Sequence, residues 1–135
     1  MSNRASRIRR LMALADQALV TAQSNLDAKD YRAAANRAYY AVFYAASAVL
    51  LTLGIERRRH SGVISAFREH FVRSGMIETE FSAIYGESLV VREDADYAIE
   101  ILVGQDAVEP GLRQARRFVG RMHEHLAKSG HEDEQ

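Results

Sequence analysis

The most informative segment for the fold is Asn36-Arg37-Ala38-Tyr39-Tyr40-Ala41-Val42-Phe43-Tyr44-Ala45-Ala46. It combines alanines with large aromatic rings, and neither Gly nor Pro interrupts the chain between Tyr31 and Leu53. Alanine favours a helix and lets a neighbouring backbone approach closely, while a buried tyrosine brings apolar area and one hydroxyl that needs a partner. The stretch therefore predicts a helix at the centre of an all-helical protein.

Hydrophobic periodicity on either side of this stretch predicts further helices and no strand. A first helix precedes it, with apolar residues at helical spacing up to Leu26. The central helix is predicted from about Tyr31 to Leu53, with Gly54 as its C-terminal stop. Ser61 is expected to cap a short third helix that ends near Gly75.

Two longer helices complete the pattern. The fourth presents one apolar face from Ile77 to Leu102, and the last presents another from Leu112 to Leu126. Gly104 and the Pro110-Gly111 pair are expected to bracket the connection between them, because glycine and proline interrupt helices. Short connections between long amphipathic helices favour antiparallel neighbours. The predicted fold is an all-α, antiparallel up-and-down four-helix bundle with a short extra helix.

Composition narrows the class of protein. The 135 residues, 47% of them hydrophobic, support one core. We expect one domain over residues 1–128 and a disordered polar tail over residues 129–135. The absence of cysteine excludes disulfides and thiolate metal sites. No apolar run approaches the roughly 20 residues that span a bilayer, so we expect a cytoplasmic protein without membrane contact.

Charge is segregated along a chain whose formal net charge is zero. The stretch from Glu78 to Glu109 carries nine acids against the single base Arg92, and other arginines are grouped. Such runs are usually solvated faces, but separate arginine groups in a small domain can also converge on phosphates. They point toward a nucleotide, an RNA or an acidic protein partner. The groups are Arg4, Arg7, Arg9 and Arg10, then Arg57, Arg58 and Arg59, then Arg113, Arg116, Arg117 and Arg121.

Standard catalytic motifs are absent from the sequence. It has no glycine-rich phosphate loop, nucleophile elbow or helical two-histidine metal motif, so no metal or cofactor is expected. His123 and His125 lie about 200° apart around a helix, which is typical of surface residues. His60 follows three arginines at a loop-to-helix junction. A capping or packing role is commonest there, but neighbouring positive charge would also keep His60 neutral and able to contact a ligand.

A second polar cluster surrounds Arg92 on the fourth helix. Asp96 lies one turn later, so an ion pair worth roughly 0.2–0.5 kcal/mol is the simpler interpretation. Alternatively, an arginine held by carboxylates presents a fixed guanidinium fork that binds a phosphate. Tyr97 reaches the same region only if the helix bends or the side chains lean together.

Three segments in order make the chain resemble the HEPN (higher eukaryotes and prokaryotes nucleotide-binding) family, and within it the small stand-alone prokaryotic subgroup. They are residues 36–46, His60-Ser61-Gly62-Val63-Ile64 and Arg92-Glu93-Asp94-Ala95-Asp96-Tyr97. The resemblance covers about residues 5–127. It implies an antiparallel four-helix bundle with a short extra helix, a homodimer, and in many members a nucleotidyltransferase antitoxin encoded beside a HEPN toxin.

The resemblance also implies a catalytic motif. Active family members are metal-independent ribonucleases that use an arginine and, a few residues later, a histidine in a dimer cleft. Arg92 matches the arginine, but Tyr97 stands where the shortest spacing places the histidine. A general acid–base group contributes about 10² to 10⁴-fold, and a tyrosine with a reference pKa near 10 is a poor substitute for imidazole. The ribonuclease motif is therefore degenerate.

Three functions follow as hypotheses. The first is a nucleotide- or RNA-binding protein that is the toxin-like partner of a nucleotidyltransferase antitoxin. The second is a structural, partner-binding dimeric bundle, and the third is an active metal-independent ribonuclease using Arg92 and His60. The catalytic candidates are Arg92, Tyr97 and His60, and the candidate nucleotide-binding residues are Arg37, Tyr40, Asp96 and Arg92.

Overall fold

The computed structural model describes residues 3–97 and 104–131, and the side chains of residues 3–95 and 104–131. All regular secondary structure in these ranges is helical, so the all-α prediction is confirmed. The helices are α1 (Asn3–Asp27), α2 (Tyr31–Leu51), α3 (His60–Phe67), α4 (Thr79–Tyr97) and α5 (Gln105–Lys128), and α3 continues as a π-helical turn over Arg68–Val72.

The alanine- and tyrosine-rich helix α2 is the centre of the bundle and packs against the other four helices. Asp30 caps its N-terminus by accepting a hydrogen bond from the backbone N–H of Ala33, a type of cap worth about 1 kcal/mol. Small residues such as Ala41 and Ala45 are fully buried, which lets neighbouring helices approach closely. The prediction of a central helix is confirmed.

Contacts between helix ends show that the long helices are antiparallel. Arg32, at the start of α2, donates from Nε to the backbone oxygen of Ala95, near the end of α4, at 2.9 Å. Arg121, in the last part of α5, pairs with Glu78 just before α4 at 2.8 Å. The four long helices α1, α2, α4 and α5 form the predicted up-and-down bundle, and α3 is the short extra helix.

Two glycines mark chain reversals that the sequence predicts. Gly54 follows α2 with φ +73°, and Gly75 follows the π-helical turn with φ +85°. Side chains with a Cβ rarely adopt this left-handed conformation, so glycine is favoured at both positions. These two boundaries agree with the sequence.

The predicted cap of α3 is wrong. The helix begins at His60 with Arg59 at the N-cap position, and no side chain caps it. Ser61 therefore lies inside the first turn. The helix starts two residues earlier than a Ser61 cap implies, and the His60 side chain packs against α2, with its ring centroid 4.4 Å from that of Phe43.

The predicted break at Pro110-Gly111 is also wrong, because both residues lie inside α5. Proline inside a helix costs about 3 kcal/mol. Val108 and Leu112 flank it one turn apart and are 1% and 2% exposed. Full burial of such side chains stabilises by about 1.5–3 kcal/mol each, which offsets the proline. Tertiary packing thus extends the helix back to Gln105.

Some predictions concern residues that the structure does not describe. The side chains of Asp96 and Tyr97 lie outside the described residues, as do residues 98–103 and 132–135, so the last part of the predicted fourth apolar face and most of the predicted disordered tail fall there. The domain limits accordingly stay predictions. Within the described ranges, no helix has the length and apolar character needed to cross a membrane.

Candidate functional site

The site begins with a histidine–tyrosine pair that joins α3 to α2. The Nδ1 atom of His60 lies 3.0 Å from the hydroxyl oxygen of Tyr39. Tyr39 is 0% exposed, so its hydroxyl needs a partner inside the protein. Phe43, one turn further along α2, lies against the imidazole ring. His60 is thus held at one edge by a hydrogen bond and along its ring by an aromatic side chain.

Arg92 reaches the same tyrosines from α4. Its guanidinium carbon lies 5.0 Å from the ring centroid of Tyr39 and 5.7 Å from that of Tyr40. A guanidinium within about 6 Å of an aromatic centroid is attracted by the ring quadrupole, by roughly 0.5–2 kcal/mol depending on solvent exposure. This contact places the positive charge of Arg92 beside the histidine–tyrosine pair.

Arg37 adds a second guanidinium to the Tyr40 ring. Its guanidinium carbon lies 5.0 Å from that ring centroid, and the side chain is half-buried. Among the described residues it makes no hydrogen bond or ion pair. Two positive charges therefore converge on one aromatic ring, an arrangement that an anion would stabilise.

The electrostatics of the site keep its histidine neutral and its tyrosine protonated. Burial, and after it the charge of Arg92, hold the pKa of His60 below its ordinary value of 6.5. Burial raises the pKa of Tyr39 to about 12. At neutral pH the pair is therefore an uncharged imidazole and a phenol that retains its hydrogen.

Tyr85, on α4, is a third component of the site that the sequence motifs did not predict. It is 0% exposed, and its ring centroid lies 6.3 Å from that of Tyr39. Its hydroxyl is buried without a standard hydrogen bond to any described residue. Burial, and after it the neighbouring Tyr39, raise the pKa of Tyr85. The available signal was its position two helical turns before Arg92.

The structure brings four of the predicted site residues together. Arg37, Tyr40, His60 and Arg92 all contact the rings of the cluster centred on Tyr39. The Asp96 and Tyr97 side chains lie outside the described residues, so the Arg92–Asp96 ion pair is not tested. The roles of all six residues stay predictions.

The three arginine groups do not converge. Arg7 of the first group pairs with Glu56, beside the second group, and Arg4 lies against Gly54 in the same loop. Three members of the third group instead bond to residues elsewhere in the bundle. Arg117 pairs with Glu80, Arg121 pairs with Glu78, and Arg116 donates to Gln23.

The two C-terminal histidines face different helices. His123 lies 3.0 Å from a carboxylate oxygen of Asp16 on α1, and the His125 ring meets the edge of Phe71. Both are half-buried, so they are less exposed than predicted, and they do not share a ligand position. Within the described part of the chain, no group of three or more His, Cys, Asp or Glu side chains could hold a metal ion.

Comparison with known proteins identifies the class. The family model of the HEPN domain matches residues 8–126, and the chain belongs to the HEPN domain family. A protein of Methanocaldococcus jannaschii named as a candidate toxin is 36% identical over 115 residues, covering 85% of this chain and 85% of that protein. Another candidate toxin of the same organism is 27% identical over 119 residues, covering 88% and 81%. A UPF0332 protein of Gloeobacter violaceus is 34% identical over 120 residues, covering 87% and 94%.

Proposed function

We propose that this protein binds a nucleotide or RNA through phosphate at the cluster of Arg37, Tyr40, His60 and Arg92. The observation that carries the proposal is the convergence of Arg37 and Arg92 on the Tyr40 ring. A guanidinium fork matches phosphate oxygens in geometry and charge, and an aromatic face provides a surface on which a base stacks. The cluster contains both kinds of group within a few ångströms.

Cleavage of the bound RNA is expected to be slow or undetectable. Family resemblance places the catalytic histidine where this chain has Tyr97, and the hydroxyl of tyrosine rarely titrates near neutral pH. His60 is the alternative acid–base group, but its Nδ1 atom is already engaged by Tyr39. We therefore expect the protein to bind RNA even though it cleaves RNA slowly or not at all.

In the cell, we propose that the protein is the toxin-like partner of a nucleotidyltransferase antitoxin and acts as a symmetric homodimer. The support is the set of relatives named as candidate toxins and the pairing known for the family. In a two-fold dimer the same surface meets itself, and the α4 region is the expected interface. Light scattering at tens of micromolar should give twice the monomer mass, and only monomer would remove the dimer from the proposal.

The binding test is fluorescence anisotropy with a labelled single-stranded RNA at about 50 mM and about 200 mM salt. Arg92→Ala should weaken binding roughly 10- to 100-fold, the range for charged hydrogen bonds worth about 1.5–3 kcal/mol. Arg113→Ala is the matched control, because Arg113 is exposed on α5 and makes no hydrogen bond, ion pair or ring contact with the cluster. A metal-free cleavage assay on total RNA accompanies the titration, with His60→Ala and Tyr97→Phe.

The outcomes separate the three functions. Salt-sensitive binding that Arg92→Ala weakens, with little cleavage, supports the proposal. Robust cleavage abolished by Arg92→Ala or His60→Ala would instead identify an active ribonuclease. No binding at the lower salt concentration would favour a structural, partner-binding dimer.

A further inference from the structure

The buried hydroxyls of Tyr39 and Tyr85 bear on which nitrogen of His60 carries its hydrogen. We infer that Tyr39 donates its hydroxyl hydrogen to Nδ1 of His60, so that neutral His60 carries its own hydrogen on Nε2 and presents that N–H to a phosphate oxygen. Tyr39 is then a positioning residue, which acts on the ligand only through the histidine. The binding of a phosphate at Nε2 rests on the proposed function, whereas the assignment of the tautomer does not.

The number of hydrogens on Tyr39, Tyr85 and His60 limits how these side chains can bond to one another. Each tyrosine hydroxyl has one hydrogen to donate, and a neutral imidazole has one donor and one acceptor nitrogen. Tyr39 and Tyr85 are both fully buried, so neither hydroxyl is satisfied by bulk solvent. The only standard hydrogen bond that joins these groups is the 3.0 Å contact between the Tyr39 oxygen and Nδ1 of His60.

In the first arrangement, Tyr39 donates to Nδ1 of His60, so the Tyr39 hydrogen has an acceptor. Of the buried hydrogens on the two tyrosines, that of Tyr85 is then the one without a hydrogen-bond acceptor among the described residues. The imidazole hydrogen is on Nε2.

In the second arrangement, Nδ1–H of His60 donates to the Tyr39 oxygen. The Tyr39 hydrogen then has no acceptor among the described residues, in addition to that of Tyr85. Two buried donors are unsatisfied instead of one, which is costly inside a protein. The first arrangement is therefore favoured.

A hydrogen on Nε2 of His60 determines which ligands the cluster can bind. The Nε2 atom of His60 makes no hydrogen bond or ion pair with a described residue, and the side chain is half-buried beside Arg92. With Nε2–H as donor and the guanidiniums of Arg37 and Arg92 alongside, these three side chains offer donors only. Such a cluster suits the oxygens of an ionised phosphate, and His60 is not available as the base that activates a ribose hydroxyl.

The test is ¹⁵N NMR of the histidine ring nitrogens in the full-length protein at mildly alkaline pH. The chain has five histidines, and loss of one signal set in His60→Gln assigns His60. We expect an acceptor-type shift for Nδ1 and a protonated-type shift for Nε2. In Tyr39→Phe, both shifts should move toward the exchange average of free histidine. Tyr85→Phe is the matched control, since it removes a buried hydroxyl but leaves the Tyr39–His60 bond.

A protonated Nδ1 in the wild type would overturn the inference without reference to any variant, and so would equal responses of the two tyrosine variants. Addition of AMP as a phosphate probe should move the Nε2 signal of His60 and leave Nδ1 in its acceptor state. If the tautomer is as inferred but RNA and AMP do not bind, the inference stands and the proposed function fails.

Discussion

Two pairs of arginines, identical in charge, differ in their surroundings. Arg37 and Arg92, the stacked pair, lie over aromatic rings. Arg117 and Arg121, the bridged pair, each bond to a carboxylate of the α4 region, and Arg117 also lies over the Phe81 ring. A carboxylate opposes the charge of an arginine before any ligand arrives, while an aromatic face does not neutralise it. The proposed anion site therefore follows from which groups an arginine contacts, and not from the density of arginines in the sequence.

The largest expected effect compares the two pairs directly. Replacing both members of the stacked pair with alanine should lower RNA affinity by at least about 100-fold, since each charged hydrogen bond to phosphate is worth about 1.5–3 kcal/mol. Replacing both members of the bridged pair removes the same net charge and should cost far less affinity. Anisotropy titrations at matched salt measure both changes. Equal losses would mean that overall charge, not the stacked pair, drives binding.

The second prediction concerns the effect of the Arg92 charge on the pKa of His60. Burial is the larger cause of the lowered pKa of His60, and Arg92 is the next. Arg92→Gln should therefore raise that pKa part of the way toward its ordinary value, because a repulsive positive charge is removed. NMR titration of His60 measures the change. Arg117→Gln is the control, and an equal change there would contradict a local effect.

The same lowered pKa predicts how stability depends on pH. Since His60 has a pKa below 6.5 when folded, the folded protein binds fewer protons than the unfolded chain between the two values. The contribution of neutral His60 to the free energy of unfolding is complete above the pKa of the unfolded chain. It is lost as the pH falls from that value through the lower pKa of the folded protein. In urea unfolding at several pH values, His60→Gln should lose less stability on acidification than the wild type. The variant should keep part of the pH dependence, because burial also lowers the pKa of His125. A pH dependence equal to that of the wild type would contradict the prediction.

The smallest expected effect belongs to the bridged pair. Arg117 and Glu80 are each about half exposed, with 53% and 54% of their side chains accessible. Exposed ion pairs typically contribute about 0.2–1 kcal/mol, so Arg117→Gln should lower the free energy of unfolding by no more than this. Urea denaturation detects the change, and added salt should reduce it. A larger loss would show that the bridged pair has a structural role beyond a surface ion pair.

Much of the fold was predictable because local pattern and tertiary packing agree. Alanines and aromatic residues at helical spacing predicted α2, and the glycines at positions 54 and 75 marked real chain reversals. Pro110 was misinterpreted because a local rule for helix breaking does not include the burial of Val108 and Leu112 around it. Ser61 was misinterpreted for a similar reason, since packing of His60 on α2 sets the start of α3.

Sequence patterns predicted an all-helical bundle centred on α2, a resemblance to the HEPN family through three ordered motifs, and candidate residues that included Arg37, His60 and Arg92. Packing in three dimensions brings these residues to the adjacent rings of Tyr39 and Tyr40, with Tyr85 beside them. Packing also bonds three arginines of the third group to residues elsewhere. Helical periodicity is a local property, set by neighbours three and four residues away. The burial of a hydroxyl and the partner of a charge depend on residues distant in sequence, so packing alone decides them.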